Sequence, residues 1–102
     1  MDIKILQLKE EFEHKFLFRE WEEVEDTFDL NNYAEIWNGT IEALGVEVPS
    51  TNNIFNLNVI YEIFNTPLRP ENFCGHSLSI SDIVVIDGTY YFCDSFGWTK
   101  ID

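Results

Sequence analysis

The segment IVVIDGTYYF, residues 83–92, constrains the fold more than any other stretch of the chain. Two runs of β-branched and aromatic residues flank Asp87-Gly88, a pair that favours a two-residue hairpin turn because both positions tolerate positive φ. Pairing outward from this turn sets Ile83 opposite Phe92. The sequence therefore predicts an antiparallel hairpin, one face of which is wholly apolar and consists of Ile83, Val85, Tyr90 and Phe92.

A bend is predicted immediately before this hairpin. Serines alternate with apolar residues in SLSIS, residues 77–81, and a straight strand would carry Ile83 onto the serine face. Because side chains of a strand alternate strictly between two faces, the change of phase requires a bend or bulge near Ser81 and Asp82. The serines and Asp82 are then expected to bond backbone groups at that bend.

The remaining strand signals differ in clarity. Residues 3–8, IKILQL, alternate as a strand, and residues 99–101 are predicted to form a last short one. Residues 15–21, KFLFREW, are ambiguous: their phenylalanines alternate as in a strand, but a helix through the same region also fits, and we favour a strand followed by an acidic connector. Asn38-Gly39 predicts a second hairpin turn or, alternatively, a bulge within one longer strand.

One helix is predicted at residues 54–65, IFNLNVIYEIFN. Residues 51–53 offer N-caps and Pro67 lies just past the end. Its apolar face consists of Ile54, Leu57, Tyr61 and Phe64. We therefore expect an α+β fold, a curled antiparallel sheet of short strands covered on one side by one main helix, in a single domain spanning residues 1–102.

The charge of the chain is strongly and unevenly acidic. The formal net charge is −13, and no lysine or arginine occurs between Glu20 and Leu68. That interval carries ten acidic residues, namely Glu20, Glu22, Glu23, Glu25, Asp26, Asp29, Glu35, Glu42, Glu47 and Glu62. Such a field repels nucleic acid and attracts basic surfaces, so direct nucleic-acid binding is not expected. Solubility is the simpler explanation of the same charge.

Neither a membrane segment nor a cofactor motif is found in the sequence. No apolar run approaches 18 residues and MDIKILQLKEEFEH does not read as a signal peptide, so we expect a cytoplasmic protein with no membrane partner. Cys74 and Cys93 are expected to be reduced and buried. The spacing of cysteines, histidines and glycines predicts no metal site and no phosphate loop.

A catalytic group around His76 is the main enzymatic alternative. Cys93 or a serine as nucleophile, His76 as base and Asp82 or Asp94 as orienting carboxylate would form a small nuclease or hydrolase centre, with Cys93 and Asp82 the closest pair in the predicted hairpin. No nucleophile elbow frames these residues, and abundant carboxylates do not by themselves make a magnesium site. We therefore favour a protein without catalytic residues.

The segment RPENFCGHSLSISDIVVIDGTYYFCDSFGW, residues 69–98, resembles the hallmark of the YodL-like domain. The shared pattern combines Gly-His-Ser-Leu-Ser-x-Ser-Asp with a later Tyr-Tyr and an Asp-Ser-Phe-Gly ending. The matching residues are Pro70, Phe73, Gly75, His76, Ser77, Leu78, Ser79, Ser81, Asp82, Val85, Tyr90, Tyr91, Asp94, Ser95, Phe96 and Gly97. The chain departs from the pattern at Cys74, Cys93 and Trp98 and in its very short hairpin loop.

This resemblance implies an origin in bacterial mobile elements and a role against host defences. Some small relatives resemble anti-CRISPR proteins that inhibit Cas9, and the family supplies no catalytic residues to carry over. We therefore expect a counter-defence protein that mimics nucleic acid and blocks guide RNA or DNA binding. Alternate residues of a strand lie about 6.6 Å apart, so Glu20, Glu22 and Glu35 are expected to present charge along strands at a spacing comparable to that of phosphates. The expected partner-binding residues are Glu20, Glu22, Glu23, Glu25, Asp26, Asp29 and Glu35.

The expected partner is a host defence nuclease with a basic groove, with Cas9 favoured. Inhibition of a restriction enzyme or of another DNA-binding host protein is an alternative with the same electrostatics. An accessory interaction module without inhibitory activity is a further one. The identity of the nuclease that loses activity separates these possibilities.

Overall fold

A computed structural model of the protein describes residues 1–101. Five strands form one antiparallel sheet, β1 (Asp2–Leu8), β2 (Tyr33–Thr40), β3 (Ile83–Ile86), β4 (Thr89–Asp94) and β5 (Gly97–Ile101). Their spatial order is β2-β1-β3-β4-β5, so β1 and β3 pair in the interior of the sheet although most of the chain separates them. The helices are α1 (Glu10–Phe16), α2 (Trp21–Val24) and α3 (Asn53–Phe64), with 3₁₀ turns at Glu25–Thr27, Leu30–Asn32 and Glu42–Leu44.

The predicted hairpin is confirmed in its turn and in its register. Ile83 pairs with Phe92 and Ile86 with Thr89. Asp87 and Gly88 occupy the turn with φ angles of 45° and 85°. These positive values are what a two-residue hairpin turn needs, so local turn chemistry fixes the pairing of β3 with β4.

Both faces of the sheet are covered, and two apolar cores result. The α+β prediction is confirmed, with α3 packed on one face against a core that includes Leu57, Ile60 and Phe64. On the other face, α1, α2 and the turn that follows cover a second core that is formed by Val24, Ile83, Val85 and Phe92. Strand β3 is buried at every position, which explains why its sequence IVVI has no polar alternation.

The strand predicted at residues 15–21 is wrong. Residues 10–16 form α1, the chain turns at Phe18, and α2 begins at Trp21. Acidic residues in the first turn of α1 and His14 and Lys15 in its last turn complement the helix dipole, which favours the helix. Phe18 adopts a left-handed φ of 63° and lies exposed in the turn after α1, whereas Phe16 is the last residue of α1, so the two phenylalanines do not share a strand.

Asn38-Gly39 does not form a hairpin turn, because β2 runs through both residues. The alternative of one longer strand is confirmed, but its bulge lies at Ile36: Ile5 pairs with Trp37 and Leu6 pairs with Glu35. Gly39 has a packing role instead. A Cβ atom at that position would lie 2.6 Å from Cη2 of Trp37, so the glycine makes room for the buried indole.

The main helix is confirmed, with its buried face rotated from the predicted one. The side chain of Asn52 caps α3 by accepting a hydrogen bond from the Ile54 backbone N–H at 2.9 Å. Leu57, Ile60 and Phe64 are buried, whereas Ile54 and Tyr61 of the predicted face are exposed. Among residues 1–101, no helix combines the length and apolar character needed to cross a membrane.

Candidate protein-binding surface

Most of the predicted binding carboxylates lie in one short stretch of chain, residues 20–29, which we call the acidic segment. Its residues occupy the N-cap of α2, α2 itself and the turns that follow. Glu22, Glu23, Glu25, Asp26 and Asp29 are exposed. The expectation that Glu20 and Glu22 repeat along a strand is wrong, because Glu20 is an N-cap and Glu22 is helical.

Glu20 and Glu23 hold the acidic segment in place. They form a reciprocal capping box, in which the Glu20 backbone N–H donates to Glu23 Oε1 at 3.1 Å. The Ser95 backbone N–H donates to both carboxylate oxygens of Glu20, at 3.0 and 3.1 Å. These bonds from Ser95 lower the pKa of Glu20. Glu23 also lies 3.5 Å from the guanidinium of Arg19, so both carboxylates have partners inside the protein.

Asp94 fixes the start of α2 to the end of β4. Its Oδ1 accepts a hydrogen bond from the Trp21 backbone N–H at 2.6 Å, and its Oδ2 accepts one from the Thr99 hydroxyl. The Trp21 ring packs against Phe28 and Phe92, with ring centroids 4.9 and 5.2 Å apart. The Asp-Ser-Phe-Gly ending of the hallmark therefore anchors the acidic segment to the sheet.

Some of the remaining predicted carboxylates have hydrogen-bond or ion-pair partners within the protein, and others have none among the described residues. Within residues 1–101, Glu22, Glu25 and Asp26 make no side-chain hydrogen bond or ion pair. Asp29 caps the next turn by accepting from the Asn31 backbone N–H at 2.9 Å. Glu35 lies outside the segment on the edge strand β2, 3.6 Å from the ammonium of Lys4, where it also accepts a hydrogen bond from the Asn38 side chain.

Two grooves flank the turn between β4 and β5. The larger, about 520 Å³, separates this turn from the start of α2. The smaller, about 330 Å³, lies on the α3 side, and the two share Asp94, Gly97 and Trp98. Phe96 at the tip of the turn is 100% exposed. These grooves were not predicted from the sequence.

The predicted bend at Ser81 is confirmed. Ser81 has a φ of 84° and is fully buried. Its backbone N–H donates to the Cys93 carbonyl at 2.9 Å, and its own carbonyl accepts from the Tyr33 hydroxyl at 2.7 Å. Its hydroxyl oxygen accepts from the Phe18 backbone N–H at 3.3 Å. Ser81 therefore bonds to three separate segments, through the backbone of Cys93 and Phe18 and the side-chain hydroxyl of Tyr33.

Asp82 is the most unusual ionisable group in the hallmark, because its side chain is fully buried. Its Oδ2 accepts from the Ser79 backbone N–H at 2.9 Å and from the Gln7 amide at 3.2 Å. His76 Nδ1 lies 3.9 Å from the same oxygen. Burial raises the pKa of Asp82 to about 7, and among residues 1–101 no partner bonds its Oδ1. This cluster ties β1 to the segment before β3.

The sequence profile of the YodL-like domain matches residues 2–102. The chain belongs to the YodL-like domain family. Searches of curated proteins and of solved structures found no match to it. The hallmark residues of this YodL-like domain thus build the bend at Ser81 and the anchor at Asp94. The Asp87-Gly88 turn lies in the hairpin loop, where the chain departs from the hallmark.

The YodL-like domain does not assemble the predicted hydrolase group. Cys93 meets Asp82 through the backbone, its N–H donating to the Asp82 carbonyl at 2.8 Å. Burial raises the pKa of the Cys93 thiol to about 12, so the reactive thiolate is disfavoured at neutral pH. In the part of the chain that the structure describes, no hydrogen bond joins Cys93 to His76.

Cys74 and Cys93 form no disulfide bond, and they differ in burial. Cys93 is buried as expected, whereas Cys74 is exposed, so the prediction that both are buried is wrong for Cys74. Over residues 1–101, no three cysteine, histidine or acidic side chains of the YodL-like domain lie together in a way that would hold a metal ion.

Proposed function

We propose that this YodL-like domain is a non-enzymatic counter-defence protein that binds a basic groove of a host nuclease in the bacterial cytoplasm, most specifically Cas9. The observation that carries the proposal is the set of exposed, unengaged carboxylates Glu22, Glu25 and Asp26 on a segment anchored at its start. An acidic surface of fixed geometry attracts a basic groove and costs little ordering on binding.

Cas9 is the favoured partner because it holds its guide–target duplex in a positively charged channel. The acidic segment would occupy part of the surface that guide RNA or target DNA needs. The net charge of −13 makes the reverse arrangement, direct binding of nucleic acid by this protein, unfavourable. Inhibition therefore arises from competition for protein surface and requires no chemical step.

The test is a guide-binding gel shift and DNA cleavage assay with Cas9. The protein is added before or after guide RNA, at low and high salt. We expect inhibition when the protein is added first, and weaker inhibition at high salt because exposed charges are screened. The triple variant Glu22→Lys, Glu25→Lys, Asp26→Lys should lose inhibition.

A matched control makes the same change of charge elsewhere, with Glu47→Lys, Glu62→Lys and Glu71→Lys at three exposed positions. Inhibition that survives the first triple variant contradicts mimicry by the acidic segment. No inhibition in either order excludes Cas9 as the target, and the same variants then apply to restriction endonucleases. Loss of intact guide RNA in the presence of this protein and magnesium would instead indicate a nuclease activity and would contradict the non-enzymatic proposal.

A further inference from the structure

Phe96 is presented to solvent on a rigid turn. Its ring is 100% exposed, and the residues on both sides are fixed. Asp94 uses both carboxylate oxygens inside the protein, and the Ser95 N–H is held by Glu20. Gly97 has a φ of +133°, which an L side chain rarely adopts. Exposed aromatic residues on rigid supports are typical anchors of protein–protein contacts.

The larger groove beside Phe96 combines aromatic and acidic walls. Its main lining residues are Glu20, Trp21, Glu22, Asp94, Phe96 and Trp98. No lysine or arginine of the described chain lines it. Glu20 and Asp94 are engaged with backbone N–H groups, whereas Glu22 makes no internal bond. The groove therefore offers the free carboxylate of Glu22 and an aromatic surface. The charges of Glu20 and Asp94 add to the negative potential there.

A guanidinium group matches these walls best. Arginine stacks on aromatic rings, pairs with carboxylates through a planar fork of donors, and is weakly hydrated. A lysine ammonium is a strongly hydrated point charge and gains less from stacking. A nucleobase would find aromatic surface here, but its phosphates would meet the carboxylates.

We infer that the groove between α2 and the β4–β5 turn binds an arginine-bearing segment of a partner protein, with Phe96 as the aromatic anchor beside it. This inference deepens the proposed function, on whose basic protein partner it rests. It places the most specific contact at the start of the acidic segment, because Glu20, Trp21 and Glu22 line the groove, and the later carboxylates of the segment supply long-range attraction.

The test uses the ¹⁵N-labelled protein and the indole N–H signals of its three tryptophans. The probe is the blocked peptide Gly-Arg-Gly-Arg-Gly, and the matched peptide carries the neutral isostere citrulline. We expect the arginine peptide to shift the signals of Trp21 and Trp98. Trp37 is the internal reference, because its ring is buried and does not line the groove.

Two exposed substitutions test the groove without threatening the fold. Glu22→Gln and Phe96→Ala should each weaken binding of the arginine peptide, by about two- to fivefold for contacts at exposed sites. Their controls are Glu47→Gln and Phe55→Ala, which remove an exposed charge and an exposed ring elsewhere. Equal binding of the two peptides, or equal affinity in all four variants, overturns the inference.

The titration contains no nuclease, so it separates the groove from the proposed function. Peptide binding at Trp21 and Trp98 without any effect on Cas9 would exclude Cas9 as the target and would leave the groove as an arginine-binding site. Inhibition of Cas9 without a shift at either indole would overturn the groove as the contact and leave the acidic segment as the binding surface.

Discussion

The Trp21 backbone N–H donates to Asp94 Oδ1 at 2.6 Å, which joins the first residue of α2 to the last residue of β4. We expect Asp94→Ala to lower the free energy of unfolding by about 1–3 kcal/mol, because two donors, this N–H and the Thr99 hydroxyl, lose their acceptor. Urea denaturation measures the change. Asp26→Ala is the control, since Asp26 is exposed, and equal midpoints for the two variants would contradict the anchoring role.

The buried carboxyl of Asp82 makes stability depend on pH in an uncommon direction. Its pKa is raised from 3.8 to about 7 in the folded protein by burial, so the folded state holds this proton more tightly than the unfolded state between these values. The contribution of protonated Asp82 to the free energy of unfolding is therefore fully present below about pH 4 and is lost as pH rises through 7. Neighbouring groups also change the pKa of this carboxyl. The Ser79 N–H, His76 and Gln7 lower it, and the charge of Glu13 raises it.

Asp82→Asn provides the comparison, since its amide cannot ionise. Urea denaturation at pH 5, 6, 7 and 8 should show the wild-type protein losing stability relative to the variant as pH rises. The change over this interval is on the order of a few kcal/mol. A difference between the two proteins that stays constant from pH 5 to 8 would show that Asp82 does not titrate in this way.

Gly39 is predicted to be intolerant of a methyl group because the Trp37 ring lies over it. Gly39→Ala should destabilise the protein by about 1–3 kcal/mol, the usual cost of overpacking. The contact is specific, since the added Cβ would meet Cη2 and Cζ2 of the indole. In a Trp37→Phe background the same substitution should cost less, and a double-mutant cycle by thermal denaturation measures the coupling. Additive effects would contradict this contact.

The two thiols should differ sharply in reactivity. Cys74 is exposed, whereas Cys93 is buried and has a pKa raised to about 12. A thiol-disulfide reagent at neutral pH should therefore label one thiol quickly in the folded protein and both in denaturant, because the thiolate is the reactive form. Cys74→Ser should remove the fast phase. Two fast thiols in the folded protein would mean that Cys93 is accessible.

Local chemistry made part of the fold predictable. The Asp87-Gly88 turn set the register of β3 with β4, and Asn52 and its neighbours marked the start of α3. The misread regions depend on distant contacts. Phe18 adopts its left-handed backbone where its N–H reaches Ser81, and Gly39 is required by the ring of Trp37, so neither role can be deduced from neighbouring residues.

The candidate site shows the same division. The acidic residues are evident from composition, but their availability is not, because Glu20 is bonded to Ser95, which lies 75 positions later. The groove arises only where α2 meets the β4–β5 turn. The one local signal for it is Phe96-Gly97-Trp98, which places an aromatic residue on each side of the glycine that begins β5.

The pairing of β1 with β3 determines when this protein can fold on the ribosome. β1 begins at Asp2 and can pair with β2 early, but the neighbour of Ile3 on its other side is Ile86, so one edge of this inner strand stays unpaired in the nascent chain until β3 has emerged. At a synthesis rate of about 5–20 residues per second, that interval lasts roughly 4 to 16 seconds. During it the apolar side chains of β1 are exposed to chaperones, and the anchor of the acidic segment, in β4, has not yet been made.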